Sequence, residues 1–424
     1  MTERLLQYIW QFQYFNATNL LTVDGDIVQI IHPGIFNTNQ GPDFLEGKIK
    51  VGETTWAGNI ELHIKSSDWN LHKHSDDKNY NNIILHVVWE DDIELGLPFP
   101  VLELHNRISN ILLARYEEMM KATTFIPCEN SINQVDLLIW SSWKDRLLAE
   151  RLQNKAAIIF EHLVKNNNHW EETFWWLLAS NFGIKVNSTA FEKIAQSIPL
   201  SILAKHKNQI HQLEALLFGQ AGLLENPFSE TYPAMLQKEY LFYKNKYKLQ
   251  PIQASLFFLR MRPANFPSVR LAQLAMLINQ SVNLFSIIKE SNSLKEIKAL
   301  LNVTANDYWH YHYVFDETTL FKEKHIGSQM INNILINTII PIVFAYGLFN
   351  KEEHFKNKAL QWLEEIGAEK NSITNAYVQL GIENNNAFDS QALIQLKNEY
   401  CNKKRCLDCA VGNRLLKTVI SRRT

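Results

Sequence analysis

Hydrophobic and polar residues are arranged differently in the first 106 residues and in the rest of the chain. The first part contains short segments rich in branched residues, such as KIKVG, WAGNIELHIK and NNIILHVVWED, and Gly, Pro, Asn or Asp bounds most of them. This pattern is typical of β-strands. From about residue 107, apolar residues recur at spacings of three and four with few glycines, as in WKDRLLAERLQNKAAIIFEHLVKN, which predicts amphipathic helices.

The two patterns predict an α+β fold class in which an N-terminal helix and a mixed β-sheet are followed by a large all-helical domain. The helix corresponds to the opening stretch MTERLLQYIWQFQYF. The turn-rich segment PCENSINQ marks the boundary, so the predicted domains are residues 1–126 and residues 127–424. No repeat at a fixed period is visible in the sequence, and a solenoid is therefore not expected.

Composition adds limits on the partners and the compartment. The chain has 424 residues, of which 46% are hydrophobic, so it is long enough to bury large cores. The 42 basic and 44 acidic residues nearly cancel, and a nucleic-acid partner would therefore need a local basic patch. The N-terminus lacks the features of a signal peptide, and the apolar run at 336–349 is short for a membrane span. We expect a cytoplasmic protein with no membrane partner.

The segment GNIELHIK carries ionisable residues at alternating positions. Glu61, His63 and Lys65 alternate with apolar residues and would share one face of a strand. Asp43 precedes the strand EGKIKV, and an antiparallel hairpin would bring it near Glu61 or Lys65. Two such carboxylates can bind Mg²⁺, and His63 or Lys65 can then orient or deprotonate a water molecule. A solvated face of an edge strand would show the same alternation without any chemistry.

These residues resemble the PD-(D/E)XK nuclease superfamily, whose core is a helix followed by a hairpin and further strands. Pro42-Asp43 matches the first half of the motif, and Glu61-Leu62-His63 matches the second with His in place of the usual Lys. The resemblance implies a restriction-endonuclease-like fold and Mg²⁺-dependent cleavage of nucleic acid. Residues 1–110 also resemble an uncharacterised bacterial family in which GPDF, the GN-E-H strand and SSDW recur, and no activity is attached to that family.

A loop rich in histidine and aspartate, SSDWNLHKHSDDKNY, follows the carboxylate strand. His72, His74 and Asp76 are similar to the H-x-H-x-D-H ligand loop of metallo-β-lactamase-type hydrolases, which suggests a zinc hydrolase as an alternative. A further alternative is that loop residues fold over the strand as positioning groups or substrate contacts, namely Asp68, His72, His74, Asp76 and Tyr80. His86 lies in the next strand, which is nearly continuous in apolar residues, and we expect it to be a core residue.

Three of the four cysteines lie close together near the C-terminus, as Cys401-x4-Cys406-x2-Cys409, and Cys128 is the fourth. In a reducing compartment this grouping predicts a [4Fe-4S] cluster or a Zn²⁺ ion bound by the four thiolates. The alternative is a set of reduced, buried cysteines. The division into one distant and three grouped cysteines resembles the iron-sulfur sites of certain nucleases of DNA repair, recombination and CRISPR adaptation, although the usual spacing there is C-x2-C-x5-C.

The segment FLRMRPANFPSVR combines Arg260, Arg262 and Arg270 with two prolines and Phe266. Arginines on a rigid loop suit phosphate groups, so this segment is a candidate nucleic-acid-binding site. A loop whose arginines pair with nearby acids would look the same in sequence. The predicted function is therefore a metal-dependent nuclease, or a degenerate descendant of one. The alternatives are a non-catalytic nucleic-acid-binding or scaffold protein and a zinc-dependent hydrolase.

Overall fold

The computed structural model describes residues 1–74, 77–281 and 283–417. The strands are β1 (Val28–His32), β2 (Ile35–Phe36), β3 (Phe44–Val51), β4 (Thr54–Lys65), β5 (Ile83–Glu90) and β6 (Val101–Glu103). The α-helices are α1 (Glu3–Gln11), α2 (Asp68–Leu71), α3 (Asn110–Lys121), α4 (Leu137–Lys165), α5 (Trp170–Phe182), α6 (Ile184–Ser197), α7 (Leu200–His206), α8 (Ile210–Gln220), α9 (Thr231–Tyr247), α10 (Pro267–Gln280), α11 (Leu284–Glu290), α12 (Leu294–Leu301), α13 (Ser328–Ile334), α14 (Ile340–Asn350), α15 (Glu353–Glu365), α16 (Ser372–Gln379), α17 (Ala387–Gln395) and α18 (Ala410–Lys417). A helix, a mixed sheet and then many helices confirm the predicted fold class.

The contacts within the chain define two compact units. Unit 1 consists of Met1–Asp145, Asn375–Ile382 and Leu393–Thr424. The last of these segments is described up to residue 417. Unit 2 consists of Arg146–Thr374 and Glu383–Ala392. Unit 1 contains the whole sheet and the segment with the three grouped cysteines. The domain boundary expected after residue 126 stays a prediction, since these units are defined by contacts alone.

The sheet of unit 1 has the strand order β1-β3-β4-β5-β6, and β2 pairs with β3. β1, β3 and β4 are antiparallel neighbours, whereas β5 runs parallel to β4, and β6 runs parallel to β5. β4 is therefore a central strand, paired on both of its edges. In the β4 and β5 pairing, Glu61 is opposite His86. The solvated edge strand considered from the sequence is thus not the environment of β4.

The core of unit 1 forms because α1 and the sheet both bury apolar faces. Thr2 caps α1 by accepting a hydrogen bond from the backbone N–H of Leu5 at 3.2 Å, which satisfies one of the free N–H groups of the first turn. Ile9 and Trp10 of α1 and Leu62 of β4 are all fully buried. The packing of α1 against the sheet places the polar residues of its first turns beside β3 and β4.

Unit 2 contains the longest apolar helical segment, in which α13 and α14 are joined by a π-helical turn over Leu335–Ile339. Pro341 follows the turn, and a wider turn relieves the clash that a proline ring makes with the preceding carbonyls. By length and composition, Ser328–Asn350 could cross a membrane, but 72% of its apolar window is buried inside the structure. Buried core helices meet the same length and composition criteria, so this segment has the burial of a core helix.

A buried carboxyl group in unit 2 should make stability depend on pH. Glu214 is completely buried and accepts hydrogen bonds from Tyr232 Oη at 2.8 Å and from the indole N–H of Trp309 at 3.2 Å. Burial raises the pKa of Glu214 to about 7 from its ordinary value of 4.5. The folded state therefore keeps the proton when the unfolded chain has lost it, and stability falls as the pH rises from 4.5 through 7.

Glu214→Gln removes this ionisation and serves as the test. Between pH 5 and pH 8, the wild-type protein should lose about 2.5 kcal/mol of unfolding free energy relative to the variant. Urea unfolding of both proteins at the two pH values measures the difference. An equal difference at pH 5 and pH 8 would show that Glu214 does not titrate in this range.

Candidate metal centre

The hairpin of β3 and β4 brings two carboxyl groups together inside unit 1. The backbone N–H of Asp43 donates to Glu61 Oε2 at 3.0 Å, and the N–H of Leu62 donates to Asp43 Oδ2 at 3.2 Å. The side-chain amide of Gln7 in α1 donates to Asp43 Oδ1 at 2.8 Å. Asp43 and Glu61 are therefore neighbours, and both oxygens of Asp43 have a donor. Gln7 is a contact that the sequence pattern did not indicate.

The polar face of β4 is buried at this point. Glu61 is 4% exposed and His63 is 1% exposed, although both alternate with the fully buried apolar residues of the other face. Lys65, two residues further along the strand, has a side chain that is 49% exposed, and its Nζ lies 3.7 Å from Asp92 Oδ2. The polar face of β4 thus has two parts. Glu61 and His63 form a buried part, and Lys65 lies at an exposed end.

Three histidine rings converge beside Glu61, and two of them lie near its carboxyl group. His63 Nε2 lies 3.1 Å from His72 Nδ1 and 3.3 Å from His74 Nε2, and these three nitrogens are all within 4.8 Å of one another. Glu61 Oε1 lies 3.6 Å from His63 Nε2 and 3.6 Å from His74 Nε2. A separation of 3.6 Å is too long for a direct hydrogen bond. Tetrahedral zinc with bonds of 2.0–2.1 Å to nitrogen holds its ligand atoms about 3.3 Å apart, so the spacing suits one shared ion.

A fourth histidine supports the ring of His63. His63 Nδ1 lies 2.8 Å from Nε2 of His86, which is fully buried in β5. If the Nε2 atom of His63 binds a metal ion, its Nδ1 carries the proton and donates to His86, which fixes the orientation of the ring. His86 Nδ1 has no hydrogen-bond partner in the described part of the chain. His86 is a core residue, and its contact with His63 was not expected from the sequence.

Aromatic rings surround the histidines. Tyr80 packs against His74 with ring centroids 4.0 Å apart, and Trp69 lies 5.2 Å from His74 and 5.3 Å from His86. These contacts restrict the side-chain rotations of the histidines and exclude water from the inner side of the group. His72 is exposed, so the opposite side of the group is open to solvent.

The loop that carries His72 and His74 is anchored by the SSDW motif. The side chain of Asp92 accepts hydrogen bonds from Ser66 Oγ at 3.0 Å and from the N–H and Oγ of Ser67, both at 2.9 Å. Asp68 Oδ2 accepts from the N–H of Lys65 at 3.0 Å. The motif therefore fixes the point at which the chain leaves β4, and Asp68 shapes the loop instead of facing the histidines.

Burial determines the charge of the group without an ion. Burial, together with the neighbouring histidines, lowers the pKa of His63 to about 2 and that of His86 to about 3. Burial, together with the nearby Asp43 carboxyl group, raises the pKa of Glu61 well above its ordinary value, and burial also raises the pKa of Asp43. At neutral pH His63 and His86 are thus neutral, and His63 can donate a lone pair to a metal ion. A bound cation would favour the ionised form of Glu61.

The remaining candidate residues lie elsewhere or outside the described residues. Asp76, the carboxylate of the predicted zinc loop, lies outside the residues that the structure describes. In unit 2, Arg260 and Arg262 are exposed. Arg270 is 6% exposed and donates to Asn265 Oδ1 at 2.6 Å and to Gln273 Oε1 at 2.8 Å. A buried guanidinium that already has these partners favours the structural interpretation for Arg270.

Comparison with known proteins identifies only a family. No curated protein and no solved structure matches the chain. The resemblance to the PD-(D/E)XK nuclease superfamily is not confirmed. A family model described as a protein of unknown function (DUF2851) matches residues 3–372, so the expected membership of an uncharacterised family is confirmed and the chain belongs to this family.

Proposed function

We propose that unit 1 is a metal-dependent hydrolase of phosphodiester bonds whose ion is bound by His63, His72 and His74, with the carboxyl group of Glu61 beside it. The observation that carries this proposal is the convergence of the three histidine nitrogens, with Glu61 Oε1 3.6 Å from two of them. Imidazole nitrogens favour Zn²⁺ and similar transition metals, whereas Mg²⁺ prefers oxygen ligands. The ion is therefore Zn²⁺ or a related metal, in place of the Mg²⁺ ion expected from Asp43 and Glu61 alone.

The exposure of the four residues supports a catalytic ion over a structural one. Glu61 and His63 are buried and the side chain of His74 is 10% exposed, whereas His72 is exposed. Structural zinc sites are closed by four protein ligands, but catalytic sites keep one position for water or substrate. In this centre the side of His72 is where a water molecule or a substrate oxygen can reach the ion.

Asp43 is our candidate for the general base, because it lies against Glu61. It contacts Glu61 through its backbone, and Leu62 and Gln7 hold its carboxylate in place. A bound metal ion would supply a water molecule with a lowered pKa and would neutralise charge that develops on the phosphate. Asp43 would act as the proton acceptor, and its raised pKa brings it into the range in which a carboxylate is an effective base near neutral pH.

The order of the elements supports a phosphodiester substrate. α1 precedes the hairpin, Asp43 lies at the start of β3, Glu61 and His63 lie in β4, and β5 then runs parallel to β4. This is the order that the resemblance to the nuclease superfamily implies. A scaffold without chemistry would leave the polar face of β4 open and the two carboxylates apart. The burial of Glu61 beside Asp43 supports the catalytic alternative.

Removal and restoration of the metal tests the proposal. Protein treated with a chelator should lose cleavage of bis(p-nitrophenyl) phosphate and of labelled single-stranded and double-stranded DNA and RNA. Addition of one equivalent of Zn²⁺ or Mn²⁺ should restore it, whereas Mg²⁺ at the same concentration should not. The comparison of the four nucleic-acid substrates then identifies the preferred one. Failure of every metal and substrate combination to give cleavage would contradict the proposed activity.

A further inference from the structure

The four cysteines lie at the ends of short turns in unit 1. Cys128 precedes the 3₁₀ turn Glu129–Gln134, and Cys401 ends the π-helical turn Leu396–Cys401. Cys406 begins a 3₁₀ turn, and Cys409 follows that turn and immediately precedes α18. All four are free thiols, and Cys406 and Cys409 are only 6% and 7% exposed. Two segments that are far apart in sequence therefore contribute thiols to the same unit.

Polar contacts attach the C-terminal segment to the segment that contains Cys128. Lys397 Nζ donates to the carbonyl oxygen of Phe125 at 2.6 Å, and the guanidinium of Arg414 donates to Asp136 Oδ2 at 2.9 Å. The guanidinium of Arg115 donates to the carbonyl oxygen of Leu415 at 2.7 Å. Because these bonds lie on both sides of the cysteines in each segment, they keep Cys128 near the three grouped cysteines.

Hydrogen-bonding groups lie against two of the four sulfur atoms. Backbone N–H groups of Val411 and Gly412, at the start of α18, donate to the sulfur of Cys409. Tyr377 Oη lies 3.5 Å from Cys401 Sγ. A side chain on Gly412 would place its Cβ 2.3 Å from the carbonyl oxygen of Cys406, so this close approach requires glycine. Hydrogen bonds to sulfur stabilise metal-bound thiolates and adjust their reduction potential.

The spacing of the sulfurs distinguishes a cluster from a single ion. Zinc bound by four thiolates at 2.3 Å would hold the sulfurs about 3.8 Å apart. The described part of the chain includes all four cysteines. No three of their sulfurs in this part lie within 4.8 Å of one another, whereas the three histidine nitrogens do. In a [4Fe-4S] cluster each thiolate binds a different iron, and the sulfurs are roughly 6 Å or more apart.

We propose that Cys128, Cys401, Cys406 and Cys409 bind a [4Fe-4S] cluster that holds the C-terminal segment of unit 1 against the segment following α3. The site is separate from the histidine centre, and it goes beyond the proposed hydrolase function. The cluster joins Cys128 to Cys401, which are 273 residues apart in the sequence. Such a link between distant positions restricts the unfolded chain much as a disulfide does.

Analysis of the anaerobically purified full-length protein tests the proposal. Wild-type protein, reconstituted with ferrous iron and sulfide where necessary, should contain about four irons and four acid-labile sulfides per chain and absorb near 400 nm. His63→Ala should keep the sulfide and the absorption, because it alters only the histidine centre. Cys401→Ser should lower both. Wild-type protein that retains stoichiometric zinc at the cysteines, or that takes up no sulfide, would overturn the proposal.

Limited proteolysis tests the role of the cluster independently of its composition. Wild-type protein with the cluster should resist cleavage between residues 396 and 417, and oxidative loss of the cluster should accelerate cleavage there at least several-fold. Equal cleavage rates before and after loss would contradict the attachment of this segment by the cluster. Absence of hydrolase activity would leave the iron and sulfide content unchanged, so failure of the proposed function and failure of this proposal are distinguishable.

Discussion

His63→Ala should lower the affinity of the protein for Zn²⁺ by more than about 100-fold, because replacing even a group that only orients a metal ligand typically costs 10-fold to 100-fold. His63 occupies the middle of the group, with His72, His74 and Glu61 all within 3.6 Å of its Nε2 atom. The substitution removes the ring nitrogen that lies close to His72, His74 and Glu61. Competition with a chromophoric chelator measures the affinity, and the hydrolase activity should fall in parallel.

His354→Ala is the matched control, because the side chain of His354 is 66% exposed and lies in unit 2. It should bind Zn²⁺ with the affinity of the wild-type protein. Thermal unfolding of both variants without metal shows whether the His63 substitution damages the fold. A folded His63→Ala protein that binds Zn²⁺ as tightly as the His354→Ala protein would exclude the histidine centre as the binding site.

The second large effect is expected at Asp43, where Asp43→Asn should reduce kcat by about 10²-fold to 10⁴-fold, the usual contribution of a general base. Zn²⁺ affinity should change much less, because the bond from Asp43 to Glu61 comes from the backbone N–H and survives the substitution. Steady-state kinetics of the zinc-loaded protein, together with the chelator competition, separates the two effects. A loss of metal affinity as large as the loss of kcat would assign Asp43 to metal binding instead.

Gln7→Ala provides the comparison for Asp43. It removes the donor to Asp43 Oδ1 and leaves the carboxylate in place. We expect a decrease in kcat well below that of Asp43→Asn, because the base is still present and only its orientation is less restricted. An equal decrease in the two variants would mean that Asp43 acts by maintaining the structure of the hairpin.

Several parts of the architecture could be predicted from the sequence because they depend on local periodicity. Alternating apolar residues predicted the strands of unit 1, and spacings of three and four predicted the helices that follow. A turn and two adjacent strands form a hairpin, which is why Asp43 was expected near Glu61. The apolar run before Asn350 was expected to be a buried helix, and most of that helix is buried. All of these features involve residues close together in sequence.

The composition of the candidate metal centre could not be predicted in this way. The sequence assigned separate ions to the carboxylate strand and the histidine loop, and folding of the loop back over the strand was only one of the alternatives, because nothing local decides it. Only the tertiary structure brings His72 and His74 to His63, through the anchoring of Ser66 and Ser67 by Asp92. The parallel pairing of β4 with β5 likewise places His86 behind His63.

Long-range contacts decided the remaining questions in the same way. Spacing grouped three cysteines, but only the fold shows that the C-terminal segment is bonded to the segment that contains Cys128. Arg270 looked equivalent to Arg260 and Arg262 in sequence, and its burial became visible only in the packed unit. The sequence by itself determined which segments form strands and helices and which residue types are available for chemistry. The tertiary structure decided which of those residues share one site, because that depends on contacts between segments far apart in the chain.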